Sequence, residues 1–187
     1  MKLTKIFLAV IALLTIACNN GNNGNNGGGE TKPSIKWGAE GTIVGEWALT
    51  SWAGHDEAHP EVYIAFNEDG TFALFQQQYS VVWLRYTGTY TLEGKTLKGA
   101  YTDGTPLACD YKVDYGTTDS VVDGAVDGAV DGVVNGEEKK EEKFLKLTSA
   151  TDSADVSIYG ATEIPAEILD ESRDPEAVRS VAIKRFL

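Results

Sequence analysis

The chain has 187 residues, 28 of them acidic and 16 basic, for a formal net charge of −12. No basic stripe interrupts that balance, which argues against nucleic acid as a partner and against electrostatic adhesion to anionic lipid, since both depend on neutralising phosphates. The two cysteines, Cys18 and Cys109, leave little scope for a disulfide framework.

The first residues carry Lys2 and Lys5 and no acid, and Ile6 to Leu14 then holds only small or apolar side chains. A short positive segment, an apolar stretch of about 7–15 residues and a small-residue exit form the pattern of a secretory signal. The stretch is shorter than the roughly 20 apolar residues a membrane helix needs, and no later segment approaches that length. The exit, Leu14-Thr15-Ile16-Ala17-Cys18, resembles a bacterial lipoprotein signal, in which a small residue precedes a Cys that becomes diacylated when the leader, residues 1–17, is removed. The usual Leu three places before that Cys is replaced by Thr15. Thr15 and Ala17 also suit an ordinary signal peptidase, which would leave a secreted protein with a free Cys at its start.

An Asn/Gly tract without periodicity, Asn19 to Gly29, follows the Cys. Such a tract is a flexible polar tether, so residues 18–40 read as a lipidated Cys and its spacer. Each buried CH₂ of an acyl chain contributes about 0.8 kcal/mol, so two or more chains of the palmitate class anchor stably. The expectation is an exported protein lipid-anchored to a bacterial membrane through Cys18. The outer membrane is favoured, because Asn19 is not the Asp that commonly retains lipoproteins at the inner one. Cys109 is then left alone and reads as a small buried apolar residue.

From residue 41 onward, short alternating runs are punctuated by Gly, Asp and Asn, the signal of an antiparallel all-β domain over 41–187. Trp47 and Leu49 share one side of the first strand, with Trp52 on the other. Val62, Ile64 and Phe66 share a side of the second, Asn67-Glu68-Asp69-Gly70 turns the chain, and Thr71 to Gln77 returns. Val82, Leu84, Tyr86, Tyr90 and Leu92 share a face of a long fourth strand, with Trp83 opposite and Gly88 a bend or bulge. Glu93-Gly94-Lys95 forms a tight hairpin into the fifth strand, Leu97 to Tyr101. Leu107, Cys109, Tyr111 and Val113 mark the sixth, Leu145 and Leu147 the seventh, Val156 and Ile158 the eighth. Eight such strands predict an up-and-down barrel, since closure removes exposed edges and leaves room inside for side chains or one small ligand.

Between the sixth and seventh strands, Asp123-Gly, Asp127-Gly, Asp131-Gly and Asn135-Gly repeat with period four, and a mixed charge run follows from Glu137 to Lys143. Neither helix nor strand period is met, so 118–143 reads as a long low-complexity, disordered loop. The acidic oxygens suit calcium, but the spacing fits neither a twelve-residue loop with terminal Glu nor nine-residue Gly-rich repeats. After the eighth strand, Ile164 to Leu169 predicts a short helix with Pro165 in its first turn. The tail from Asp174 is readable as a helix bearing Val178, Val181, Ala182 and Phe186, or as an extended segment grouping Val181, Ile183 and Leu187.

The phrase Ile43-Val44-Gly45-Glu46-Trp47-Ala48-Leu49 resembles the Gly-x-Trp opening of lipocalins and of lipocalin-like bacterial lipoproteins. The resemblance implies a lipocalin-like barrel over roughly Gly41 to Ile158, with Gly45 allowing a tight start to the first strand and Trp47 closing one end. Family members also carry a Thr-Asp-Tyr motif, of which Cys109-Asp110-Tyr111 is a poor echo, and an Arg packed over the Trp, for which Arg173, Arg179 and Arg185 are candidates.

Chemistry is scarce. His55 and His59 are the only histidines, and Asp56 stands where a metalloprotease helix needs Glu, so solvated loop histidines are the simpler reading and no metal or cofactor is expected. No Gly-x-Ser-x-Gly elbow and no phosphate loop appear, and the carboxylate pair Glu68/Asp69 serves a turn; the expectation is no enzyme. Two readings remain. Trp47, Tyr86, Tyr90, Tyr101 and Tyr111 line the barrel as the cavity of a small apolar or amphipathic ligand, or those rings only fill the core. In the second case an exposed Trp52 and Trp83 mark a surface for an envelope protein partner.

Overall fold

The computed structural model describes residues 34–53, 60–77, 81–118, 141–175 and 185–187. Cys18, the leader, Asn19 to Gly29, His55, His59, Arg179 and the Asp-Gly repeats lie outside the described residues. Nine strands and one helix are described: β1 Ile35–Ala39, β2 Gly45–Trp52, β3 Glu61–Phe66, β4 Thr71–Gln77, β5 Leu84–Glu93, β6 Thr96–Tyr101, β7 Tyr111–Thr118, β8 Glu142–Ser149, β9 Val156–Ala161 and α1 Ala166–Glu171.

The strands β2 to β9 form the eight-stranded antiparallel barrel. Their order is β7-β6-β5-β4-β3-β2-β9-β8, and β8 pairs back onto β7 to close the ring. Alternation sets the inside: Val62, Ile64 and Phe66 of β3 and Phe72 and Leu74 of β4 are buried, and Ile64 and Phe72 lie opposite their partners Leu74 and Phe66. Leu97, Val113, Leu145 and Leu147 complete the same core from the other wall. Period-2 patterning thus places a continuous apolar surface on one side of every strand, and closure removes it from water.

The turns follow their residues. Gly70 has φ +79° and donates its N–H to Asn67 O, while Asp69 accepts from the Thr71 N–H at 3.0 Å. Gly94 has φ +61° in the two-residue loop between Glu93 and Thr96. Gly88 is not a bulge: β5 keeps register with both neighbours through it. A Cβ there would stand 2.3 Å from Ala100 O and 2.5 Å from a Phe72 ring carbon, so Gly88 exists to let the Phe72 ring and the next strand approach.

Three elements depart from the sequence reading. β1 lies within the stretch that composition gave to the tether; Ile35 and Trp37 cover the backbone of Gly116, where any Cβ would meet them at 2.6 and 2.8 Å. It pairs with Tyr115–Thr118, the part of the β7 edge that β6 leaves open by pairing only with Tyr111 and Lys112. The sixth barrel strand starts at Tyr111 and not at Leu107, because Leu107 N–H bonds Gly99 O as its segment folds back along β6. The helix starts at Ala166, with Pro165 as its cap; it buries Ile168 outside the barrel against Phe75 and Ile164, with Trp83 and Tyr63 beside them. Among the described residues no helix is long and apolar enough to cross a membrane.

Candidate functional site

The two ends of the barrel are built differently. At one end β2 begins with Gly45, whose φ of +143° favours glycine. Trp47 then turns inward, 4% exposed, and its Nε1–H donates to Ile43 O at 2.8 Å. Beside it the Tyr90 ring meets Phe66 edge-on at 5.0 Å and its hydroxyl donates to Asn67 O at 2.8 Å. At this sealed end the partner of Trp47 is four residues away and that of Tyr90 is 23 residues away.

The opposite end is a mouth, lined by Tyr86, Tyr101, Tyr111, Tyr159, Gln76 and Trp52. Three of these were unforeseen. Gln76 shares the inward phase of Phe72 and Leu74 and is completely buried; a polar residue in that phase was the signal that could have singled it out. Tyr159 faces in beside Leu145, its strand partner. Trp52 was expected on the outer side, but the register of β2 against β9 shifts between Leu49 and Ser51. That bulge reverses the alternation and aligns Trp52 with Ser157, on the same side as Tyr159. Trp52 Nε1–H donates to Asp155 Oδ1 at 2.9 Å.

The last three residues occupy this mouth. Leu187 is 2% exposed and belongs to the barrel core. Phe186 stands edge-on to Trp52 at 4.8 Å and to Tyr159 at 6.5 Å. The Phe186 N–H donates to Gln76 Oε1 at 3.0 Å, and the Tyr101 hydroxyl donates to Leu187 O at 2.6 Å. Arg185 lies over the rings of Tyr101 and Tyr86, at 4.3 and 5.2 Å from their centres, and forks onto both carboxylate oxygens of Asp103. Of the arginines considered for packing over Trp47, Arg185 thus serves the mouth instead. Arg173 pairs its backbone with Leu84 and Arg85.

The five residues expected to line one cavity do share one core, but not one site: Trp47 and Tyr90 belong to the sealed end, and Tyr86, Tyr101 and Tyr111 to the mouth. Burial raises the ionisation of Tyr101, Tyr111 and Tyr159 far above the ordinary phenol, so all three stay protonated donors at neutral pH. The Arg185 guanidinium holds the Asp103 carboxyl well below the usual carboxylate range, helped by Thr105. An open groove of about 280 Å³ runs beside Arg185, between Tyr86, Tyr101, Asp103 and Asp174. A larger one of about 580 Å³ lies mainly along the outer wall, between Ala73, Thr87, Thr89 and Thr102. Tyr101, which also serves the mouth, is the one buried residue with a polar side chain in its lining.

Trp83, like Trp52, is covered by its own chain: its ring meets Tyr63 at 5.7 Å, and Arg173 N–H bonds its carbonyl at 2.9 Å. Cys109 is half-buried and its thiol donates to Ser149 Oγ at 3.2 Å. Among the described residues no group of three His, Cys, Asp or Glu is placed to hold a metal.

No curated protein matches this chain. Residues 43–120 match the family model of the lipocalin-like domain, a span that opens on the carbonyl bonded by Trp47 and runs past β7. The closed antiparallel barrel with its Gly45-x-Trp47 opening agrees with that match, and the chain carries a lipocalin-like domain.

Proposed function

We propose that this protein is a non-catalytic binding module of the cell envelope, lipid-anchored through Cys18 to the outer membrane, which takes a small apolar or amphipathic ligand at the barrel mouth. One observation carries the reading. A fully buried Gln76 and a buried Tyr101 hydroxyl present hydrogen-bonding atoms inside an otherwise aromatic recess, and in that recess they already hold an apolar segment by its polar backbone. Apolar walls with a few convergent polar groups are the composition of a small-molecule site. The lipocalin-like domain supports the same class of activity.

Native mass spectrometry on the exported Cys18→Ser protein, purified gently, tests this. The expected result is a small-molecule adduct that disappears on denaturation; a bare mass, with no binding of added fatty acids, removes the reading. A parallel comparison of the parent and Cys18→Ser proteins tests the anchor: the parent partitions with membranes and the variant is released.

A second reading, a solid barrel acting through its outside, is favoured by the barrel interior, where Phe66, Phe72, Leu74, Leu97, Leu145, Leu147 and Tyr159 leave the middle filled. It gains nothing from Trp52 and Trp83, which contact the protein's own C-terminal segments. Crosslinking that captures a defined envelope protein on the unliganded barrel would move the argument to it.

A further inference from the structure

Burying a glutamine amide in an apolar interior is unfavourable unless a partner satisfies it. At the mouth of this barrel one such partner is no neighbouring strand or helix but the N–H of Phe186, 110 residues away, and the acceptor for Tyr101 is Leu187 O, 86 residues away. The barrel therefore holds the tail as it would hold a separate molecule. It bonds one donor and one acceptor of the peptide backbone, encloses a ring between Trp52 and Tyr159, and buries an aliphatic group beneath. A third polar atom is not used by the tail. The Tyr159 hydroxyl is buried, with Ser157 as polar neighbour, and forms no well-made hydrogen bond among the described residues. The clasp that holds the tail, Arg185 on Asp103, sits at the rim, where both side chains keep contact with water, and the open groove runs alongside it.

From this arrangement we propose that Arg185-Phe186-Leu187 is a built-in occupant of the ligand site, so that the tail and the ligand exclude one another. The ligand then has an apolar chain or ring joined to a carboxyl or amide head. An amide head places a donor on Gln76 Oε1 and an acceptor on the Tyr101 hydroxyl, as the main chain of 185–187 does, whereas a carboxylate, which only accepts, takes the Tyr101 hydroxyl and the Tyr159 hydroxyl. This rests on the binding reading above and adds a mechanism to it: apparent affinity is the intrinsic affinity reduced by the fraction of molecules whose mouth is open. A mouth shut nine-tenths of the time weakens binding about tenfold.

The test uses the full Cys18→Ser chain and 11-(dansylamino)undecanoic acid, a fatty acid that brightens on leaving water. The Phe186→Ser/Leu187→Ser variant should bind this probe at least about tenfold more tightly than its parent. Asp103→Asn, a change on an exposed loop that leaves the core intact, should shift affinity in the same direction by a smaller factor. Probe bound to the parent should speed hydrogen exchange at the Phe186 amide. Equal affinity in the folded tail variant and the parent, or a Phe186 amide that stays protected at saturating probe, overturns the competition and leaves the binding reading standing. If the tail variant does not fold, Asp103→Asn and the exchange measurement decide. Folded proteins that all ignore the probe overturn the binding reading, and this inference with it.

Discussion

The sealed end and the mouth of this barrel solve one problem, keeping water out of a ring of strands, with materials from different distances along the chain. At the sealed end, Trp47 bonds a carbonyl four residues before it, and Tyr90 bonds the turn that joins β3 to β4. At the mouth, Gln76 and Tyr101 bond residues about a hundred positions away that belong to no strand or helix. A seal made of side chains rooted in strands, Trp47 in β2 and Tyr90 in β5, cannot open without disturbing the strands that carry it. A seal made of residues 185–187, which belong to no described strand or helix, can leave while the strands stay paired. The comparison assigns stability to the first end and exchange with solvent to the second.

The largest effect should come from the sealed end. Trp47→Ala removes a nearly fully buried indole and orphans the Ile43 carbonyl, and should cost about 3–5 kcal/mol by urea unfolding. The folded fraction should bind a mouth ligand with unchanged affinity. A parallel loss of affinity would show that the two ends are coupled and would undo the division. Next comes the wall between them. Gly88→Ala forces a methyl group into the space of Ala100 O and the Phe72 ring, an overpacking that costs about 1–3 kcal/mol. It should lower the unfolding midpoint without altering which end seals.

Leu187→Ala should cost less than Trp47→Ala, about 2 kcal/mol, at the low end for burying one aliphatic side chain, because the emptied tail can withdraw instead of leaving a void. Its sign on binding is the informative part: stability falls while affinity for an apolar probe rises. A variant that loses both would place Leu187 in the binding surface and not in competition with the ligand.

The same contrast explains what was legible in the sequence. Period-2 runs, Gly70, Gly94 and the Gly45-x-Trp47 opening are local signals, and the barrel with its sealed end follows from them. Trp52 was misplaced because a bulge near Thr50 reverses the alternation, and nothing in Ala48-Leu49-Thr50-Ser51 announces one. β1 was hidden because its five residues stand next to a tract whose composition dominates the reading, and its reason to pair is the bare backbone of Gly116, far along the chain. The mouth was half legible. Tyr86, Tyr101 and Tyr111 could be listed from their strands, but Arg185-Phe186-Leu187 carries no period over three residues. Its role depends on Gln76, Tyr101 and Asp103, which only the closed barrel brings together.

The smallest effect, and the finest test of the two ends, is the response of the mouth to pH. The groups facing the Arg185 guanidinium are Asp103, the rings of Tyr86 and Tyr101, and Asp174 along the groove. Arg185 keeps its charge throughout, and burial keeps Tyr86 and Tyr101 protonated beyond the ordinary phenol range. Asp103 is held ionised by the Arg185 hydrogen bonds, so its folded value lies below its unfolded one. A carboxyl shifted that way stabilises the closed mouth above the unfolded value, about pH 4, and loses the contribution as pH falls through the folded value. The ratio of probe affinities between Asp103→Asn and the parent, in which the probe's own titration cancels, should therefore stay flat from about pH 5 to 9 and fall toward one only below about pH 4. A step between pH 6 and 7 would instead overturn the assignment of the latch to Asp103, because no carboxyl held below its ordinary range titrates there.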